Sequence, residues 1–524
     1  MKKKFEAVFD GRNMDSADIL AEIFANRGID DIGDFLNPTA DSLIPLDRLH
    51  NIKKAFDLLD NALDNEDEIL VYADTDTDGC TSASIMYRYI KNFTDNIKVY
   101  INKGKAHGVE DYDFTKESAG LVIIVDSINS PDVYNAIGKP TIVLDHHILL
   151  GTAEEYNGVA LVSSANDYPN PELSGAGVTW KFCKYCDDMY FTDYADNLAD
   201  LAATGIVADM CSMASPENRY ICDLGLSNLK NVGISKVNGT YRFDAQAISF
   251  GIAPLVNACN RLNENELALS LFMNDDEAQT KETVKQLRAF KDEQNEIVAS
   301  IIPTLTKQYE AQAQDNILIF TYEVEDDISI SGLLGNKLSG IYQRPCIVLK
   351  HTDEGYAGSA RGYGTENFKQ MIDSTGLAWT GGHENACGIK IKDEDYDRFV
   401  SAIKALCADY QLSVNNSADV EIDIEQISDD MINRFKQVNI ISGDGFEPIK
   451  VLIKGITDYE VGDMSKGKHL KLTVGGITII KWNYTGGFDE FDGRPVTVIG
   501  TLDMSYFGRT LYRQVIIEDY KIGE

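Results

Sequence analysis

Basic residues are scarce in this chain: 48 Lys and Arg stand against 83 Asp and Glu, a formal net charge of −35. That balance excludes a protein that coats nucleic acid indiscriminately, because such binding needs cationic surface. It leaves room for a local basic patch, since what matters is where the charge sits. No run of 18 apolar residues occurs, so a membrane-spanning helix is not expected. The opening Met1-Lys-Lys-Lys-Phe-Glu has a basic tip with no apolar stretch behind it, and secretion is not indicated. Nine cysteines, odd in number and scattered, give no disulfide framework and fit a reducing cytoplasm. Cys183-Lys-Tyr-Cys186 falls in a helical pattern, and Cys211 and Cys222 are eleven apart with no close histidine, so a structural zinc is not expected. Glycines 175 and 177 read as a turn entering a helix, without the Lys-Ser/Thr of a nucleotide-binding P-loop.

What the chain does have is length and α/β alternation. Its 524 residues exceed one core and suggest three or four domains. Helical patterns over 13–45 and 51–65 precede strand patterns at 69–73, 97–101, 121–125 and 141–144, the alternation of a parallel α/β sheet. A helix rich in small residues runs from Asp196 to Asp209, with more helix to about 265. From Asp275 to Ala311 the pattern is a long, mostly polar connecting helix, expected to break near Pro303. A second α/β unit follows over 316–410, then a polar linker at 411–440. Residues 441–524 carry 10 Lys/Arg and 12 Asp/Glu, the least acidic part of the chain. Five or six short strands there suggest a small barrel of the oligonucleotide-binding kind.

The chemistry sits at three strand ends. Val71-Tyr-Ala-Asp-Thr-Asp-Thr-Asp-Gly79, Val122-Ile-Ile-Val-Asp126 and Ile142-Val-Leu-Asp-His-His147 each end an apolar run in acids or histidines. The carboxyl edge of a parallel sheet is where open α/β folds build sites. Asp74, Asp76 and Asp78 alternate at period two, so an extended backbone points all three one way, and a cation is the ordinary relief of such crowding. Adjacent His146 and His147 are expected on opposite faces of their strand, hence in different roles. Asp209 follows Gly205-Ile-Val-Ala and completes an oxygen and nitrogen set suited to Mn²⁺ or Mg²⁺. Two such ions activate water and stabilise the leaving oxygen of a displacement at phosphorus. The calcium loop of EF-hands is excluded, because Asp74–Gly79 lacks the Glu at position twelve. In the second unit, Arg361 with Ser359 suits a phosphate, and His383 follows two glycines that leave its backbone free. In the barrel, Lys466, Lys468, His469, Lys471 and Arg509 accompany Trp482, Tyr484, Tyr506 and Phe507, the residue types of a single-strand groove.

Taken in order, these segments resemble the RecJ family of the DHH phosphoesterase superfamily, single-strand-specific 5′→3′ DNA exonucleases. The family's Asp-x-Asp-x-Asp-Gly is matched by Asp74–Gly79, its second-strand Asp by Asp126, its Asp-His-His by Asp145, His146 and His147, and its fourth-motif Asp by Asp209. The resemblance implies Asp74, Asp76, Asp126, His146 and Asp209 as metal ligands for two ions. It gives Asp78, Asp145 and His147 supporting or substrate-orienting roles. Leu173–Val178, the segment Pro254–Leu262 with Arg261, Gly358–Arg361, Gly381–His383, and the Asp444–Pro448 and Lys466–Lys471 stretches resemble further family elements. From these come Arg261, Ser359, Arg361, Lys466, Lys468 and Lys471 as substrate contacts, and His383 as a donor to the scissile phosphate. Ser127-Ile128 replaces the usual Asn-Gly, Asn260 replaces a Gly, and Glu384 and Cys387 are also atypical, but none of these removes a ligand.

The resemblance implies an α/β fold: a helical leader at 1–45, a parallel-sheet DHH catalytic domain at 46–265, and a connecting helix at 266–315. A smaller DHH-associated domain at 316–410, a linker at 411–440 and an OB-like β-barrel at 441–524 complete it. The implied activity is two-metal hydrolysis of single-stranded DNA to 5′-mononucleotides in DNA repair or recombination, by a monomer with a single-strand-binding protein or a helicase as candidate partner. Two rivals are an oligoribonucleotide or cyclic-dinucleotide phosphodiesterase, against which the extra barrel argues, and a non-catalytic scaffold of the same fold, against which the intact ligand set argues.

Overall fold

The computed structural model describes residues 4–102, 108–109, 112–324, 328–408, 415–465, 467–482, 484, 486–491, 493–507 and 510–523. They form two compact units, one of residues 44–211 and 224–413, the other of residues 2–43, 212–223 and 414–524.

The first unit is built on a five-stranded parallel sheet. Its spatial order is Ile97–Ile101, Ile69–Ala73, Leu121–Val125, Thr141–Asp145 and Ala160–Ser163. Four of these strands are buried along their whole length, as expected of parallel strands covered on both faces, which is why they read as unbroken apolar runs. The order is 2-1-3-4-5 in chain sequence, so the direction of winding reverses between Ile69–Ala73 and Leu121–Val125. At such a switch point the connections leave in opposite directions and open a crevice beyond the strand ends. Asp74 and Asp126 are the residues that follow those two strands. Leu70, Tyr72, Val122, Ile124, Val143 and Leu161 belong to one apolar layer on this sheet. Helices Thr77–Ile90, Gly175–Tyr190 and Ala199–Ala208 pack on one another, and their inner residues are buried.

The same unit contains the second sheet, Trp379–His383, Ala386–Ile391, Gly355–Arg361, Cys346–Thr352 and Leu318–Tyr322 in spatial order, antiparallel except for its last pair. The glycine-rich stretch around 380–388 is therefore a hairpin of two strands. Helix Glu277–Glu310 runs unbroken for 34 residues with Pro303 inside it. Proline removes one backbone bond there, but Val298, Ile301 and Leu305 bury against Leu318 and Phe320 and hold the helix together on both sides of it.

The second unit departs most from expectation. Lys4–Asp10, read as part of a helical leader, is a strand, and Asn415–Glu421, read as linker, is its parallel partner. Both extend an eight-stranded sheet whose other six strands lie between Val451 and Ile522, the number expected of the barrel. Residues 212–223 also belong here and not to the first unit. Buried Arg219 donates to the carbonyls of Phe35 and Ile441, and the Met213 amide donates to that of Asp444. Among the described residues no helix is long and apolar enough to cross a membrane.

Candidate active site

Local folding rules aim each acid of the first motif differently. The extended backbone ends at Asp76, whose carboxylate accepts the Gly79 N–H at 3.0 Å and caps helix Thr77–Ile90. Asp78 then lies in the first turn of that helix, so the expected period-two alignment of all three acids holds only for Asp74 and Asp76. Asp78 turns instead to the start of helix Gly175–Tyr190, where its carboxylate accepts the N–H groups of Gly175 at 2.7 Å and Ala176 at 3.1 Å. It lies buried against a helix N-terminus, whose N–H groups and dipole favour a carboxylate there.

Asp126 follows the strand Leu121–Val125 with φ +53, a left-handed conformation that Asp tolerates better than most residues. Strand Thr141–Asp145 stops at Asp145, so the two histidines lie beyond it and do not alternate across the sheet. Their ring centroids are 4.5 Å apart and both rings face the acids. His146 Nε2 lies 3.3 Å from Asp126 Oδ1, 3.6 Å from Asp209 Oδ2 and 3.9 Å from Asp78 Oδ2. His147 Nδ1 is 2.9 Å from Asp145 Oδ1, and the His147 N–H donates to Asp145 Oδ2, so Asp145 fixes the ring. Asp209 is the C-cap of helix Ala199–Ala208. A carboxylate there opposes the helix dipole, a cost that a neighbouring cation offsets.

Three overlapping groups result, each with ligand atoms within 4.8 Å of one another: Asp74, Asp76 and Asp126; Asp126, His146 and His147; Asp78, His146 and Asp209. The five residues read as metal ligands, with Asp78 and His147, fall in these groups, and Asp145 joins them only through its hydrogen bond to His147. Burial drives the carboxyls of Asp78 and Asp126 well above their ordinary range, and neighbouring carboxylates, Asp76 among them, push the same way. Asp209 is also raised by burial, with His146 opposing. Burial alone would lower His147, but the hydrogen bond and charge of Asp145 outweigh it and lift the imidazole to about 9.

The donor set fits a divalent cation. Asp126 Oδ1 is buried with no hydrogen-bond partner, although it lies among Asp74, Asp76 and His146. A buried carboxylate oxygen without a donor is costly unless a cation takes that role. Carboxylate oxygens with one or two imidazoles suit Mn²⁺ or Mg²⁺ better than a soft thiophilic ion, and all nine cysteines are free and buried.

A second group is cationic. The Ser359 and Ser331 hydroxyls are 2.9 Å apart, and Arg361 Nε donates to Asn336 at 2.6 Å beside helix Ser331–Tyr342. Arg261, at the end of helix Ala253–Arg261, is linked to the same segment through its carbonyl, which accepts from Ser329 N–H at 3.2 Å. Burial lowers the Arg261 pKa and the nearby Arg361 adds to it. Lys291, on the connecting helix, donates to Gln294 at 2.8 Å and is lowered by burial and then by the charge of Arg261. Sequence reasoning missed it, because one Lys in a polar helix reads as a solvated charge. His383 is exposed at the end of strand Trp379–His383, on the row of the sheet that carries Arg361. In the second unit Lys468 is exposed in a turn and Lys471 half-buried in strand His469–Val474. Trp482 is 45% exposed, but Tyr484 is buried and donates to the Gly487 carbonyl, so it is no stacking surface. Lys466, Arg509 and the side chains of Tyr506 and Phe507 lie outside the described residues.

Residues 68–206 match the model of the DHH family, N-terminal domain. The chain is 29% identical over 506 residues to YorK, a prophage-derived Bacillus subtilis protein provisionally named a single-strand DNA-specific exonuclease, covering 88% of this chain and 86% of that one. It is 25% identical to the Bacillus subtilis single-stranded-DNA-specific exonuclease RecJ, covering 97% of this chain and 68% of that one. The crystal structure of RecJ in complex with Mn²⁺ from Thermus thermophilus shares the fold with a TM-score of 0.80 at 21% identity, over 99% of this chain and 80% of that one.

Proposed function

From a chain that carries the DHH-family N-terminal domain and is RecJ-like along nearly its whole length, we propose a single-strand-specific DNA exonuclease that works from the 5′ end and releases 5′-mononucleotides. The observation that carries this reading is Asp126 Oδ1, buried and without a donor at the centre of the Asp and His cluster. Asp74, Asp76, Asp126, His146 and Asp209 would hold two Mn²⁺ or Mg²⁺ ions, the metals with which Thermus RecJ forms its complexes. When bound, such ions supply Lewis acidity at the phosphoryl group and lower the pKa of water.

The remaining residues position and neutralise. Asp78 holds the first turn of helix Gly175–Tyr190 against the cluster. Asp145 orients His147, whose outer nitrogen can carry a proton toward a phosphate oxygen. Ser359 and Arg361 bind the phosphate of the terminal nucleotide, with Arg261 and Lys291 adding positive charge that is expensive to leave buried and unpaired. His383, on the same face as Arg361, donates to the scissile phosphate. Lys468 and Lys471 contact the backbone of longer strands.

The test is digestion of 5′- and 3′-labelled single strands and of a blunt duplex, with Mn²⁺, Mg²⁺ or chelator. Labelled mononucleotide is expected first from the 5′ end, only with metal, and slowly from the duplex. Release from the 3′ end first, equal rates on the duplex, or hydrolysis confined to dinucleotides overturns the reading.

A further inference from the structure

The sheet face that carries Ser359 and Arg361 also carries an exposed indole. Residues directly opposed in an antiparallel sheet share a face. Ala357, Lys390 and Trp379 form one such row across three strands, Ser359, Gly388 and Gly381 the next, and Arg361, Ala386 and His383 the third. The opposite face, with Ala360, Cys387, Ile389 and Ile391, is packed into the core. Trp379 therefore stands two strands and one row from Ser359, about 12 Å at ordinary strand spacing, a distance that a short oligonucleotide bridges.

Trp379 is 61% exposed. A lone exposed apolar residue is ordinary in itself; the surroundings of this one are specific. The indole lies over Gly381, where a Cβ would come within 2.6 Å of its Cη2, so glycine is what lets the ring lie down on the sheet. Gly388 beside it leaves the floor bare in the direction of Ser359. The Lys390 ammonium is 5.9 Å from the ring centroid. Trp379, Lys390, Lys350 and Lys392 line a cavity of about 1050 Å³, with Asp353, Glu354 and Asp395 on its other parts. A flat aromatic surface beside lysines is the pairing that holds single strands, the ring stacking a base and the ammonium meeting its phosphate.

We propose that Trp379 is a stacking platform for one nucleobase of the strand whose phosphate Ser359 and Arg361 hold, with Lys390 taking a flanking phosphate. This rests on the reading of the protein as a nuclease for single strands, and it adds a base contact upstream or downstream of the phosphate site.

The test is equilibrium binding, by fluorescence anisotropy, of the full chain to 5′-phosphorylated hexanucleotides in chelator, each carrying an abasic residue at a different position. In the wild type one position is expected to cost about tenfold in Kd, the size of a lost base–aromatic stack. Trp379→Ala should bind the intact hexamer about tenfold more weakly and lose the positional penalty, while Trp379→Phe keeps most of both. An abasic profile that is the same in Trp379→Ala as in wild type overturns the platform, and so does a wild-type chain that binds no hexamer. Because the readout is binding, the two readings fail separately. A penalty erased by Trp379→Ala stands even if end-labelled strands are not cut from the 5′ end. Cutting from the 5′ end with a profile independent of Trp379 overturns the platform alone.

Discussion

The Asp78 carboxylate accepts the backbone N–H of Gly175 at 2.7 Å, so an acid of the first motif serves as an anchor for a helix 97 residues further along the chain. Gly205 makes this possible, since a Cβ there would press on Asp78 Oδ1 and come within 2.8 Å of Thr81 Oγ1. Gly205→Ala is expected to destabilise by about 1–3 kcal/mol through overpacking and to reduce hydrolysis. Asp78→Asn should cost about 1–3 kcal/mol for the impaired helix cap while leaving Mn²⁺ affinity closer to wild type than Asp126→Ala does. Urea unfolding and calorimetric Mn²⁺ titration of the three variants check this. An Asp78→Asn protein as stable as wild type but inactive would make Asp78 a participant in the chemistry and not an anchor.

Asp126 gives a pH prediction. A carboxyl whose folded pKa is raised above its unfolded value binds more protons when folded, so stability falls as pH rises between the two values. Asp126, Asp78 and Asp209 are all raised. Chelated protein should therefore lose Tm as pH rises above the ordinary carboxylate range, relative to Mn²⁺-loaded protein, in which the cation neutralises the cluster. Asp126→Asn should narrow that gap by melting higher in chelator and gaining less from Mn²⁺. Differential scanning calorimetry in both buffers is the measurement, and a gap that does not change with pH would count against a cation among these acids.

Arg361 should not be replaceable by lysine. Its Nε is committed to Asn336 and its Nη1 to the Ala360 carbonyl, which fixes the plane of the guanidinium. An ammonium on a flexible stem has no such plane. Arg361→Lys is expected to lower kcat/KM on a 5′-phosphorylated strand by about 10- to 100-fold, the range of a hydrogen bond to a charged group. Much of the loss should disappear on strands that lack the 5′-phosphate. Equal losses on both substrates would move Arg361 away from the terminal phosphate.

For the lysines of the second unit, salt dependence is the discriminating quantity. Each phosphate contact removed lowers the slope of log K against log salt by about 0.7 on single strands. Lys468→Ala with Lys471→Ala should therefore flatten the slope by up to about 1.4 on a long strand and leave a hexamer nearly unaffected. Removing the whole of 441–524 is a poor substitute for this pair, because it strips one of the two partners of strand Asn415–Glu421 and exposes Arg219. An unchanged slope would assign both lysines to solvent.

The acid-bearing edge of the sheet was readable because buried parallel strands must be apolar throughout, so an acid after such a run marks the strand end and the candidate site. The aim of each acid was not. Asp78 looks like a third member of an alternating row until Asp76 is seen to cap a helix, a switch set by Gly79 N–H and not by residue spacing. The strand Ala160–Ser163 is too short to give a period. Helix Glu277–Glu310 outlasts its proline because of tertiary packing that local propensity does not encode. Lys291 joins the arginines only through folding, since nothing near it in sequence distinguishes it from the other lysines of that helix.

Lys4 stands opposite Asn415 in the eight-stranded sheet. During synthesis the first strand therefore emerges long before its partner exists, roughly 20–80 s earlier at ordinary elongation rates. All the acids and histidines of the cluster lie between Asp74 and Asp209, in the first unit, and both strands lie in the second. The nascent chain must consequently carry an unpaired strand edge while its first sheet is already assembled, a hazard for pairing with neighbouring chains. Glu6 and Asp10 within that strand, with the run of lysines before Phe5 in the sequence, supply the charge that discourages such pairing during the wait.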